Sequence, residues 1–251
     1  MTGLLKNKVA IVTGASRGIG KAIVEKFVAE GAIVIACSNK KNKAQREYYK
    51  TLSTKKKSKI IPIFFDLNSH DEIKKGIEEI KSLNLMINYL VNNAGIIVTS
   101  SFQMTKEVDL LDVFKVNFFG QFYFTQYVSK IMIKTKGPKS IVNISSSSGL
   151  DNNLGRSVYA ASKASGISLA STISKELAPF NIRVNTIAPG LTDTEMMRNS
   201  TKKEYLDKAL ENISLKRIGR PEEIANVVFF LCSELSSYIN GQVIRVDGGM
   251  H

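Results

Sequence analysis

Apolar residues recur along this chain in two alternating patterns. Short runs rich in Val, Ile and Ala, the mark of buried strands, fall at 8–13, 32–37, 59–65, 86–91, 139–145, 181–187 and 242–246. Between them the spacing becomes helical, predicting helices over 18–30, 41–53, 69–82, 106–135, 157–178, 202–212 and 221–233. The first helix shows the pattern plainly: Ile19, Ile23, Phe27 and Val28 share one face, and Lys21, Glu25 and Lys26 the other. Strict alternation of strand and helix implies parallel strands joined by right-handed crossovers. The expected fold class is therefore α/β: a single doubly wound domain over residues 1–251, with a seven-stranded parallel sheet and helices on both faces. No repeat, low-complexity linker or second domain interrupts it. The least regular segment, 190–215, is rich in Thr, Asn, Glu and Lys. It reads as a mobile substrate lid or as a surface helix pair without a gating role.

Composition narrows the function classes. With 251 residues and 43% hydrophobic content, one large α/β domain can be filled. No apolar run reaches the roughly 18 residues of a membrane helix, and with the first strand expected from residue 8 no secretory leader is expected. Cys37 and Cys232 lie in apolar runs without metal or redox spacing, so two buried thiols, no metal site and a reducing cytoplasm are expected. The net charge of +13 gathers partly in Lys40-Lys41-Asn42-Lys43 and Lys55-Lys56-Lys57. Only Tyr48 and Tyr49 stand nearby, too little for a nucleic-acid-reading face, so a solvated lysine surface is expected. That charge should still draw anionic ligands.

Two stretches carry chemistry. The apolar run Lys8-Val9-Ala10-Ile11-Val12-Thr13 leads directly into Gly14-Ala15-Ser16-Arg17-Gly18-Ile19-Gly20 and then a helix. Strand, glycine turn and helix form the setting a dinucleotide loop needs: the backbone can approach a pyrophosphate, and the helix N-terminus offers free N–H groups. The spacing is Gly-x-x-x-Gly-x-Gly, with an ordinary glycine-rich turn as the plainer reading. Downstream, Tyr159 and Lys163 stand four apart on a predicted helix, hence on one face. A phenol titrating at about 10 is a poor base at neutral pH; a neighbouring ammonium favours its phenolate. On spacing alone, the pair is also compatible with an unremarked surface contact.

Thr13-Gly14-x-x-x-Gly18-Ile19-Gly20, Asn92-Asn93-Ala94-Gly95, Ser146, Tyr159-x-x-x-Lys163 and Pro189-Gly190 together resemble the short-chain dehydrogenases/reductases. These motifs occur in family order and span essentially the whole chain. Within the family the resemblance is nearest to 3-oxoacyl-acyl-carrier-protein reductases, through Gly219-Arg220-Pro221-Glu222-Glu223-Ile224-Ala225 and Val246-Asp247-Gly248-Gly249-Met250. It implies a Rossmann-type domain, a nicotinamide cofactor and reduction of a carbonyl to a secondary alcohol. Ser146 and Tyr159 would bond the substrate oxygen, with Tyr159 the proton donor. Lys163 would hold the nicotinamide ribose and stabilise the phenolate, and Asn117 would hold a water of the proton relay or act as a helix-kink residue. The cofactor would lie against Gly14, Ser16, Arg17, Gly18, Ile19 and Gly20, then Asp66 and Leu67 at the adenine, then Asn92, Asn93, Ala94 and Gly95. Pro189, Gly190, Thr192 and Thr194 would meet the nicotinamide amide. The second strand ends in Cys37-Ser38-Asn39-Lys40 without the acid that reads a ribose diol. Arg17, Ser38, Asn39 and Lys40 instead suit a 2′-phosphate, so NADP(H) is expected over NAD.

The substrate is less clearly written. Docking arginines of acyl-carrier reductases fall here on Gly137 and Phe180, leaving Lys136, Lys139, Lys175 and Arg183 as substitutes. The stretch Asp151-Asn152-Asn153-Leu154-Gly155-Arg156 also places amides and an arginine just ahead of Tyr159. A 3-oxoacyl thioester of fatty-acid biosynthesis is the first expectation. The alternatives are a sugar, polyol or other secondary alcohol, and, more remotely, a non-catalytic cofactor-binding regulator. The resemblance also implies a homotetramer, and Phe118, Phe119, Phe122, Tyr123, Phe124 and Tyr127 are too many aromatics for one buried helix face. His70, at a predicted helix start, is read as a capping or surface residue.

Overall fold

The computed structural model describes residues 3–56, 58–151, 153–201 and 203–250. Lys57, Asn152 and Lys202, each part of a sequence expectation above, lie outside the described residues. The strands are β1 (Val9–Thr13), β2 (Ile33–Ser38), β3 (Ile60–Phe64), β4 (Ile87–Asn92), β5 (Lys139–Ile144), β6 (Ile182–Pro189) and β7 (Val243–Val246). They form one sheet in the order β3-β2-β1-β4-β5-β6-β7, and every pairing is parallel. The Rossmann-type expectation therefore holds. Pro62, which cannot donate a ladder hydrogen bond, sits on the edge strand β3, where such a residue is tolerated.

Strand periodicity divides the core between the two faces of the sheet. In β2, Val34 and Ala36 point to one face, while Ile35 and Cys37 point to the other. The first face is covered by α1 (Gly18–Ala29), through Ile23, Val24, Phe27 and Val28, and by α10 (Pro221–Cys232), through Ile224, Val228 and Leu231. The opposite face packs on Ile73, Ile77 and Ile80 of α3 (His70–Ser82) and on Phe124, Val128 and Met132 of α5 (Gln121–Ile133). The remaining α2 (Lys43–Lys56) is mostly exposed, but buries Tyr49, whose hydroxyl donates to the Ala15 carbonyl at 2.6 Å.

Three elements depart from the sequence reading. The helix expected over 106–135 is divided into α4 (Glu107–Phe114), a π-helical turn over Lys115–Gly120, and α5. Asn117 lies inside that turn, in keeping with its reading as a kink residue. The turn also seats Gly120 against the loop after β3, where a Cβ would lie 2.3 Å from the Leu67 carbonyl oxygen. Two short helices carried too little periodicity to be foreseen: α6 (Ser148–Asp151) and α8 (Glu195–Ser200). The latter is started by Thr194, whose hydroxyl accepts the Met197 amide at 3.2 Å. It is followed by α9 (Lys203–Glu211), while the long α7 (Ser157–Leu177) carries Tyr159 and Lys163. No helix among the described residues is long and apolar enough to cross a membrane.

Phe124 is fully buried between α5 and the sheet, with its ring 5.1 Å from that of Phe65. Phe124→Ala is expected to destabilise the protein by about 3–5 kcal/mol, the usual range for an aromatic cavity. Chemical denaturation at fixed protein concentration measures this; a loss below about 1 kcal/mol would contradict the packing described.

Candidate active site

The chain runs outward from β1 to β2 and β3, then returns to β4 on the other side of β1. A crevice opens at such a switch point, outside the carboxyl ends of the strands. Here its floor is built by hydrogen bonds between the loops after β1 and β4. The Thr13 hydroxyl accepts the Asn93 and Ala94 amides at 3.0 and 3.1 Å. The Asn93 side chain donates to the Thr13 and Gly14 carbonyls at 3.0 and 3.2 Å. This approach requires glycine: Gly14 has φ +63°, and a Cβ on it would lie 2.8 Å from the Ala94 Cα. A Cβ on Gly20 would lie 2.1 Å from the Gly14 carbonyl oxygen.

Above this floor lies a cleft of about 2140 Å³. Pockets for one small ligand hold about 300–1,000 Å³, so it has room for a dinucleotide and a substrate together. Its lining includes Gly14, Ser16, Arg17, Gly18, Ile19, Gly20, Ser38, Asn39, Asp66, Leu67, Asn93, Ala94 and Gly95. Pro189, Gly190, Thr192 and Thr194 line it as well, beside Ser146, Tyr159 and Lys163. Two expected cofactor contacts do not. Lys40 is exposed beyond the rim. Asn92 is buried in β4, donating to Thr125 Oγ1 and Asn143 Oδ1 at 2.7 and 2.8 Å. Strand alternation turns Asn92 into the fold and leaves Asn93 for the cleft.

The cleft fits a dinucleotide in its details. The N-terminus of α1 has no side-chain cap and no acidic residue in its first turn, so its amides face the glycine loop without a competing anion. No carboxylate follows β2; Ser38 and Asn39 line that corner. Arg17 is paired with Glu195 at 2.8 Å, but both side chains are exposed. Such a pair contributes at most about 1 kcal/mol, so an incoming phosphate could take its place.

At the catalytic end, α7 delivers Tyr159 and Lys163 side by side, the ammonium 5.8 Å from the phenol ring centre. The Lys163 ammonium is buried and donates to the Ile144 carbonyl at the end of β5, at 2.9 Å. Burial draws its pKa down to about 8, so it still carries its proton at neutral pH. Burial pushes the Tyr159 phenol above its ordinary value; the Ser146 side chain and the Arg156 charge act in the opposite direction. Arg156 thus joins Lys163 as a second cation beside the phenol. Asn117 stands behind the pair rather than in the cleft. Its side chain accepts the Ile96 amide at 2.8 Å and donates to the Ile96 carbonyl at 2.9 Å and to Ser162 Oγ at 3.0 Å. Those bonds clamp the loop after β4 to the catalytic helix.

Some positioning residues escaped the sequence reading. Gln121, four residues beyond Asn117, donates to the Ala94 carbonyl at 2.6 Å; that interval was the available signal. Arg245 holds Asp151 with two bonds of 2.7 Å and Asp247 with a third of 2.7 Å, fixing α6 to the chain's C-terminal segment. Nothing local in sequence linked those positions. Two of the four substitute docking cations are instead structural. Lys139 is buried and donates to the Thr135 carbonyl, while Arg183 donates to the carbonyls of Leu231, Ser233 and Ile239. Lys136 and Lys175 are exposed. His70 stacks on Tyr123 at 4.4 Å and reaches the Tyr127 hydroxyl at 2.9 Å, with Ser69 as the cap of α3.

The depressed pKa of Lys163 has a testable consequence for stability. Between pH 8 and the ordinary lysine value near 10.5, the unfolded chain binds more protons at this site than the folded protein. Stability relative to Lys163→Met should therefore rise with pH through that window and be flat below it. Thermal unfolding of both cofactor-free proteins from pH 7 to 10.5 measures the difference, and a pH-independent gap would contradict the burial argument.

The whole chain aligns with known proteins. Residues 14–251 match the family profile described as Enoyl-(Acyl carrier protein) reductase. The chain is 44% identical over 248 residues to the 3-oxoacyl-[acyl-carrier-protein] reductase FabG of Aquifex aeolicus, covering 98% of each chain. Among solved structures, it superimposes on a short-chain type dehydrogenase/reductase from Mycobacterium marinum with a TM-score of 0.90, at 29% identity, covering 98% of this chain and 96% of that one. It matches L-sorbose reductase from Gluconobacter frateurii, solved with NADPH and L-sorbose, with a TM-score of 0.90, at 26% identity, over 100% and 98% of the two chains. With matches of this extent, the chain belongs to the short-chain dehydrogenase/reductase family, as a nicotinamide-dependent oxidoreductase acting on CH–OH and C=O groups.

Proposed function

We propose that this protein is an NADPH-dependent 3-oxoacyl-acyl-carrier-protein reductase of fatty-acid biosynthesis, acting in the cytoplasm as a homotetramer. The observation that carries the reading is the convergence of Ser146, Tyr159 and Lys163 in the cleft that the glycine loop opens. Residues 14–20 and Gly95 would hold the reduced nicotinamide cofactor, which would supply the hydride. Tyr159 gives its phenolic proton to the carbonyl oxygen of the substrate, and Ser146 hydrogen-bonds that same oxygen. The protonated Lys163 lies close enough to offset the phenolate charge that develops. Asn117 keeps the loop carrying Ile96 fixed behind them.

The preference for NADPH rests on Arg17 at the start of α1 and on Ser38 and Asn39 at the end of β2, with no acid to engage a free ribose diol. Segment 190–215 is read as the lid of a single catalytic domain, since α8 and Asn212 of this stretch line the substrate end of the cleft. Lys136 and Lys175 remain as candidate contacts for an acidic carrier. Phe119, Phe122 and Tyr123 are each at least a third exposed, as are Leu110 and Leu111 of α4, and this apolar surface supports the assembly.

A second reading has its own support. The substrate end is lined by Asn153, Arg156, Asn199, Lys208 and Asn212, a polar set that also suits a keto-sugar. One steady-state series separates the two: acetoacetyl thioesters and keto-sugars, each with NADPH and NADH, for the wild type and Tyr159→Phe. Thioester turnover with NADPH should dominate, and Tyr159→Phe should lower kcat by about 10²–10⁴-fold, the span of general-acid catalysis. Efficient sugar turnover with negligible thioester turnover would overturn the acyl assignment. Equal, very slow oxidation of NADPH by both proteins across the panel would favour a non-catalytic regulator.

A further inference from the structure

We propose that Arg156 is a positioning residue of this active site, tying the far end of α8 to the start of the catalytic helix while presenting a fixed positive charge to Tyr159. Arg156 is the N-cap of α7, three residues ahead of Tyr159, and three-residue neighbours on a helix share a face. Its Nη2 donates across the cleft to the Ser200 carbonyl at 3.2 Å and to the Thr201 hydroxyl at 3.0 Å. Both acceptors are neutral. Among the described residues, no carboxylate pairs with this half-buried guanidinium.

A half-buried guanidinium is only partly screened by water, so a negative charge developing beside it is stabilised more than it would be in bulk solvent. In this cleft, that charge is the Tyr159 phenolate formed as the proton leaves. The other charged groups lining the cleft near α7 do not fill the role. Asp151 of α6 is held by Arg245, Glu195 of α8 by Arg17, and Arg198 by Asp193. Lys163 lies on the other side of Tyr159, bonded to Ile144, and Lys208 projects from α9. Arg156 therefore has two separable roles: its hydrogen bonds hold the α8 end in place over the substrate, and its charge favours the phenolate.

The inference rests on Tyr159 being the proton donor, and three variants test it against Tyr159→Phe as the reference. Arg156→Met removes both roles, Arg156→Gln keeps hydrogen-bonding capacity without charge, and Arg156→Lys keeps charge without the paired donors. The measurements are kcat and KM from pH 6 to 10.5 for the reverse reaction, alcohol oxidation with the oxidised dinucleotide, whose positive charge lowers the phenol's titration. Oxidation needs the phenolate, so its rate rises with pH through the Tyr159 pKa. Loss of a nearby cation should move that limb upward by about one pH unit in Arg156→Met and Arg156→Gln. Arg156→Lys should leave the limb in place and raise substrate KM about tenfold, as two hydrogen bonds to the α8 end are lost. A limb unmoved in both Arg156→Met and Arg156→Gln, with Tyr159→Phe inactive, overturns the electrostatic role; an unchanged KM in Arg156→Lys overturns the tether. If Arg156→Met does not fold, the Gln and Lys pair still decides both. Full activity in Tyr159→Phe would instead overturn the proton-donor reading itself.

Discussion

A buried ammonium organises this molecule's chemistry. Lys163 has no carboxylate partner among the described residues, and its ammonium is held by the Ile144 carbonyl at the end of β5. Burial strips hydration from the charged form, and its pKa falls to about 8 as a result. Several neighbouring features follow from the need to house it. Ser145 donates to the Lys163 carbonyl at 3.0 Å, locking α7 to the serine-rich strand end. Gly95 leaves the space open, since a Cβ there would lie 3.2 Å from both the Lys163 ammonium nitrogen and Asn117 Oδ1.

The sheet makes such an arrangement possible. Parallel strands deliver all their carboxyl ends to one edge, and the reversal between β1 and β4 leaves that edge open. Loops after β1, β4, β5 and β6 thus meet in one cleft although they are far apart in sequence. The floor is made of backbone groups and the short side chains of Thr13 and Asn93, which permits close approach. Charge is kept to the walls: Arg17, Arg156 and Lys163 are supplied by three different places in the fold.

Much of this was legible in the chain itself. Short apolar runs and the period-3.6 pattern located all seven strands and the eight longer helices among the described residues, with α4 and α5 read as one, because burial against a two-sided sheet imposes those patterns. Ser146, Tyr159, Lys163 and the glycine loop were legible because each motif is short and local. What was not legible depends on contacts between distant segments. The helix over 106–135 looked continuous because a π-turn preserves its apolar face while adding a residue. Asn92 and Asn93 could not be separated by motif; strand register separates them. Lys139 and Arg183 resembled surface cations until the carbonyls that hold them came into view. The pairing of Arg156 with the α8 end spans more than forty residues and leaves no local trace.

Burial pushes the Tyr159 phenol above its ordinary value, and the Ser146 hydrogen bond and the Arg156 charge bring it down. Carbon-13 labelling of the tyrosine ring at Cζ, with Tyr159→Phe used to assign the signal, lets its titration be followed directly by NMR. In the cofactor-free protein the phenol should titrate above the ordinary value of about 10. With oxidised dinucleotide bound, whose nicotinamide ring carries a positive charge, the titration should move clearly downward. A Tyr159 that titrates below 10 in the free protein, or that does not respond to the bound dinucleotide, would contradict burial as the source of its raised titration.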